Sequence, residues 1–149
     1  MSPREELTAQ TQARGEENYL GGTPSGRILY RAMREDSAGG PMVGPTARTL
    51  GVRPNVDILI IAGLVRPNSG GMSVAPDRPG NLHPLRRPPA FGGLGKDQIW
   101  SIAVVALGDD LQFRPGSATN GLIESARTMR IDDLQMTLEA TKPYWKKLP

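Results

Sequence analysis

The sequence predicts an α+β domain in which two small, mostly antiparallel β-sheets face each other with flanking helices. Short apolar runs bounded by Gly and Pro recur along the chain and outnumber the stretches with helical spacing. No strand-helix-strand alternation of the kind that builds a parallel sheet is found. The 149 residues suit one domain with one core and leave no room for a second catalytic domain.

The elements follow in order. Ser2-Pro3-Arg4-Glu5 reads as a helix start, with Ser2 as N-cap, Pro3 at the first helical position and Glu5 three residues after the cap. Leu7 is the only large apolar residue between Ser2 and Asn18, so that helix is expected to pack weakly. After the Gly-rich turn at 21–26, Arg27 to Met33 is expected as the first strand. Residues 35–45 read as loop, and Thr46 to Leu50 as one or two helical turns stopped by Gly51 and Pro54. Val56 to Val65 is β-branched and almost continuously apolar, which predicts a buried strand or short buried helix before the turn Pro67-Asn68-Ser69-Gly70-Gly71.

Met72-Ser73-Val74 begins a new extended element. From Ala75 to Gly95 the chain is rich in Pro, Gly and Arg, and a loop of that length suits the mouth of a pocket. Ile99 to Leu107 is expected as a central strand, Gly108-Asp109-Asp110 as a turn, and Leu111 to Arg114 as the return strand of that hairpin, closed by Pro115-Gly116. A short apolar stretch follows at Gly121-Leu122-Ile123-Glu124. Ile131, Leu134, Leu138 and Trp145 then recur at helical spacing, with Asp132 and Asp133 suited to the first turn and Pro143 ending or kinking the helix. Trp100 and Trp145 are expected in the core.

Composition narrows the chemistry. Without cysteine there is no disulfide, thiol nucleophile or Cys-based metal site, and the lone His83, expected at the surface, cannot supply a histidine cluster, so no metal is expected. The first residues lack the apolar core of a signal peptide, and no stretch approaches the roughly 18 consecutive apolar residues of a membrane span. No membrane partner is expected. A sequence pI near 9.6 suggests nucleic acid, but a net charge of +3, from 18 basic and 15 acidic residues, is a small surplus for an electrostatic binder.

Three short features carry a functional reading: an Arg in the strand Ile28-Leu29-Tyr30-Arg31, a Gly-Gly-x-Ser step in Gly70-Gly71-Met72-Ser73, and a late carboxylate in Gly121-Leu122-Ile123-Glu124. The order Arg31, Ser73, Glu124 resembles the arginine-serine-glutamate arrangement of ADP-ribosyltransferases. With the run from Gly63 to Val74 it looks specifically like the toxins of that fold delivered by type VI secretion, over roughly residues 27–147, and this implies a toxin domain at 27–149 preceded by an N-terminal appendage at 1–26. Many such transferases carry Gln or Glu two positions before the glutamate, where this chain has Leu122.

The resemblance implies an ADP-ribosyltransferase-like fold and NAD as substrate, used by a transferase or an NAD glycohydrolase. It also implies an unknown macromolecular target, a cognate immunity protein, and a chain exported without a signal peptide to act in the cytoplasm of a target cell. Arg31 would grip phosphate, because its planar fork binds two oxygens and keeps its charge. Gly70 and Gly71 would let backbone approach the nicotinamide, and the Ser73 hydroxyl would hold the catalytic carboxylate in one rotamer. Glu124 would stabilise the oxocarbenium character that develops as the nicotinamide–ribose bond breaks.

Tyr30 and Phe91 are candidates to stack on the nicotinamide, with a core role as the alternative. Arg86-Arg87 reads either as a solvated pair or as a phosphate contact, and Thr119 and Asn120 as turn residues able to add a polar contact. Two other functions stay open: a catalytically silent toxin whose NAD-like pocket binds a host component, and a small RNA-targeting toxin.

Overall fold

A computed structural model describes residues 26–149. The predicted N-terminal helix, and nearly all of the predicted appendage, lie outside them. Eight strands form two antiparallel sheets, with a single α-helix among the described residues. The strands are β1 (Ile28–Met33), β2 (Leu64–Val65), β3 (Met72–Pro76), β4 (Gln98–Ala103), β5 (Leu111–Pro115), β6 (Gly121–Ser125), β7 (Met129–Arg130) and β8 (Lys146–Lys147), and the helix α1 is Ile131–Ala140. The large sheet runs β5-β6-β3-β1-β4-β8, and β2 pairs with β7 in a small second sheet.

The predicted α+β class therefore holds at that level, with six strands against two and fewer helices than expected. β1 lies inside the large sheet, between β3 and β4. It faces β4 along its whole length, from Ile28↔Ala103 to Met33↔Gln98, but meets β3 only at Leu29↔Pro76 and Tyr30↔Ala75. Leu29, Met33, Val74, Trp100, Ile102 and Ile123 belong to one buried cluster that Leu134 and Leu138 of α1 complete. Burying each leucine is worth about 1.5–3 kcal/mol.

α1 begins where the sequence placed it. Asp132 and Asp133 lie in its first turn, where backbone N–H groups favour negative charge. It ends at Thr141, whose hydroxyl donates to Leu138 O at 2.6 Å and accepts from Trp145 Nε1 at 2.9 Å, and Pro143 lies in the 3₁₀ turn that follows. Trp100 and Trp145 are both buried, as expected.

Four expectations are corrected. Thr46 to Leu50 makes no helix, because the Thr49 hydroxyl, donating to Gly44 O and accepting from Thr46 N–H, ties the segment into a turn. Val56 to Val65 is not a buried element: Ile58 and Val65 are buried, but Val56, Leu59, Ile61 and Leu64 are exposed. The strand expected over 99–107 stops at Ala103 and passes into a 3₁₀ turn, Val104–Leu107. β5 does return as a strand, but onto β6, from Leu111↔Ser125 to Pro115↔Gly121, and not onto β4, whose two edges are taken by β1 and β8. The segment from Ala75 to Gly95 carries three short 3₁₀ turns, each started by a proline.

Candidate functional site

The short β1–β3 ladder creates the site. Beyond Tyr30↔Ala75 the two strands part, and the Arg31 side chain fills the split. Arg31 is 3% exposed. Its Nε donates to Thr49 O (3.1 Å), Nη1 to Ser73 O (2.7 Å) and Ser73 Oγ (3.4 Å), and Nη2 to Thr49 O (2.9 Å) and Thr46 O (3.3 Å). All five guanidinium N–H groups thus have an oxygen in reach. The charge itself meets no hydrogen-bonded carboxylate. Burial, with Arg86 adding repulsion, lowers the Arg31 pKa from its ordinary value to about 10, and it stays a cation at neutral pH.

Arg31 and Ser73 line a small cavity of about 160 Å³ together with Asn81, His83, Arg86, Thr119, Asn120 and four small or apolar neighbours. The 79–95 segment reaches its rim as the sequence suggested. Arg86 sends Nη2 to Ala47 O, so two guanidinium groups share the carbonyls of the 46–49 turn. No lining residue is acidic. The cavity is smaller than the ~300–1,000 Å³ of a drug-sized pocket, so it can admit a phosphate or a ribose but not a whole dinucleotide. A larger hollow of about 810 Å³, between residues 38–41 and the C-terminal end of α1, contains none of the expected site residues.

The other expected residues stand apart from this cavity. Glu124 is on β6, beside β3, with Ser73 opposite Leu122, so Ser73 and Glu124 share a face of the sheet one diagonal step apart. Its carboxylate is fully buried and accepts from Gln112 Nε2 (2.7 Å), Arg114 Nε (2.8 Å) and Asn68 N–H (2.8 Å), so it holds β5, β6 and the 66–69 turn together. Burial pushes this carboxyl up, but the bonds from Arg114, Gln112 and Asn68 outweigh that and leave it below its ordinary value. The Ser73 hydroxyl lies near Arg31 Nη1, not in hydrogen-bond contact with Glu124.

Gly70 and Gly71 have a role within the chain instead of the expected approach to a nicotinamide. A Cβ on Gly71 would lie 2.3 Å from Ile123 O, and one on Gly70, at φ +114°, would lie 2.3 Å from Asp57 O. Tyr30 and Phe91 are half-buried and neither lines the cavity. Arg87 is spent locally on Leu82 O and Phe91 O. His83 is exposed as expected, and its Nδ1 accepts from Leu85 N–H at 3.1 Å.

Arg86 is the residue whose importance is decided by the fold, since nothing in its sequence context distinguishes it from Arg87. Among the described residues no group of three or more His, Asp or Glu side chains is placed to hold a metal ion. Comparison with known proteins finds no matching family model, no matching curated protein and no matching solved structure.

Proposed function

We propose that this chain is a toxin with an ADP-ribosyltransferase-like fold that binds NAD at the Arg31–Ser73 cavity and breaks its nicotinamide–ribose bond in the cytoplasm of a target cell. The observation that carries this reading is the arginine pair, Arg31 and Arg86, lining an acid-free cavity. A phosphate there meets a fixed positive field, and Arg86, partly exposed, can turn donors toward it. Arg31 contributes charge more than bonds, because an oxygen of the ligand has to replace Ser73 Oγ or Thr46 O, its two longest contacts. The rest of the dinucleotide would lie across the mouth formed by residues 79–95 and 117–120. The three residues of the resemblance also sit on β1, β3 and β6, which are adjacent in the sheet. Delivery through type VI secretion, an unknown macromolecular target for ADP-ribose and an immunity protein that plugs this cavity belong to the same proposal.

A second reading is favoured by one observation. With both Glu124 oxygens engaged and no exposure, the cavity can bind without catalysing, which describes a silent toxin that acts by capturing a host component. Calorimetry with NAD and with ADP-ribose, alongside an assay of NAD loss, separates the readings. Turnover supports the enzyme, and binding without turnover supports the silent toxin. If neither ligand binds, the enzyme reading fails. Arg86→Ala should weaken NAD binding by about 10–100-fold, the value of one charge-assisted hydrogen bond of roughly 1.5–3 kcal/mol.

A further inference from the structure

The cavity beside Arg31 is lined with unspent donors. Arg86 gives one N–H to Ala47 O, and its other N–H groups meet no acceptor among the described residues. The Asn120 side-chain amide, which also lines the cavity, makes no hydrogen bond among the described residues. Ser73 Oγ accepts from Arg31 Nη1 at 3.4 Å and keeps its own proton to donate. His83 Nδ1 accepts from Leu85 N–H at 3.1 Å, which puts the proton of the neutral ring on Nε2 and leaves that N–H to donate. The charges are as one-sided as the donors. After burial itself, Arg86 is the strongest influence on Arg31, ahead of Asp57, whose carboxylate is bonded to Arg53. Two cations lining one acid-free cavity repel each other, and an anion that carries two charges would neutralise both.

We infer that this cavity receives a terminal phosphate, and that the dinucleotide it takes is therefore NADP, the 2′-phosphorylated form of NAD. A phosphomonoester carries about −1.5 to −2 charges at neutral pH and presents three acceptor oxygens. Each phosphate of the pyrophosphate bridge has fewer free oxygens and less charge. The terminal group thus matches two guanidinium groups and several unspent donors better on both counts. Size points the same way. About 160 Å³ admits one phosphate or one ribose, whereas a bridging phosphate brings a second phosphate and two riboses with it. An arginine beside the ribose is also the general means by which a site accommodates a 2′-phosphate. With that phosphate anchored, the rest of the molecule would lead out past His83 and Asn120. The inference rests on the reading that a dinucleotide binds here, and it holds equally for turnover and for silent capture.

Calorimetry of the full chain with NADP and with NAD tests this. NADP should bind at least about tenfold more tightly, the worth of one further charge-assisted hydrogen bond, and inorganic phosphate should compete with it. Arg86→Ala should lower NADP affinity about tenfold more than NAD affinity, bringing the two close to equal. Asn120→Asp puts a carboxylate at the cavity without removing a side-chain hydrogen bond among the described residues, and should erase the preference in the same way. Unfolding midpoints that match wild type separate lost recognition from lost folding. NAD bound as tightly as NADP overturns the inference and leaves the dinucleotide reading intact. A preference for NADP that survives both substitutions also overturns it, because the extra phosphate then sits elsewhere. If neither dinucleotide binds, the inference and the dinucleotide reading fall together.

Discussion

At the scale of single residues, two charged side chains do work inside the fold that their sequence context assigned to a ligand. Arg31 stitches Thr46, Thr49 and Ser73 carbonyls across the split between β1 and β3. Arg31→Lys leaves some of those buried oxygens without donors, so it should destabilise the protein by about 2–3 kcal/mol, read as a lower urea midpoint. Unchanged stability would mean that the guanidinium is free for a ligand after all. Glu124 has a carboxyl held below its ordinary value by Arg114, Gln112 and Asn68. The unfolded chain therefore binds the proton first, and the stabilisation is complete above the ordinary carboxyl range. It is lost as pH falls through the lower folded value. Glu124→Gln should unfold more easily at neutral pH, since its NH2 group would face the Asn68 donor or the Gln112 and Arg114 donors in place of an accepting oxygen, and it should flatten the acid limb of the stability profile. A variant that keeps the wild-type acid limb would assign that limb to another carboxylate. Loss of toxicity in Glu124→Gln then diagnoses catalysis only when folding is measured alongside.

At the scale of elements, β1, β3, β6 and α1 were legible because each is a short apolar run between breakers, or a run with helical spacing. Partners were not legible. Leu111 to Arg114 suits either β4 or β6 as a neighbour, and the choice fell to β6 because β1 and β8 occupy both edges of β4. The run from Val56 to Val65 misled for a related reason: a buried strand and an exposed apolar hairpin have the same composition, and only contact with a core distinguishes them. The β3–β6 pairing gives a sharp test through Gly71, which lies directly under Ile123 O. Gly71→Ala forces the two backbones apart and should cost about 2–3 kcal/mol, seen as a fall in melting temperature. Wild-type melting would mean that the strands pair in another register.

At the scale of the whole molecule, α1 and the C-terminal segment close the core, and β8 covers the outer edge of β4. Trp145 joins these parts, with its ring in the main cluster and its Nε1 bonded to the hydroxyl that caps α1. Trp145→Ala removes both and should cost about 3–5 kcal/mol in one cooperative unfolding transition. A separate early transition of the helix would show that the C-terminal segment is an independent unit. The surplus of positive charge is also organised at this scale. Ion pairs such as Arg48–Asp97 and Lys147–Glu35 absorb acidic groups remote in sequence, while the Arg31–Arg86 cavity holds basic ones.

The sequence by itself determined the α+β class, the positions of β1, β3 and α1, the burial of Trp100 and Trp145, and the placing of Arg31 and Ser73 as candidates for one site. Those features are local: periodicity, breakers and residue chemistry are written into neighbouring positions. Only the tertiary structure decided that Arg86 joins Arg31, that Glu124 is enclosed by Gln112 and Arg114, and that Leu59, Ile61 and Leu64 face outward. Each depends on which strands pair and where they part. Pairing is fixed by competition among several edges for a few partners, and that competition is settled by the core as a whole and not by any one segment of the chain.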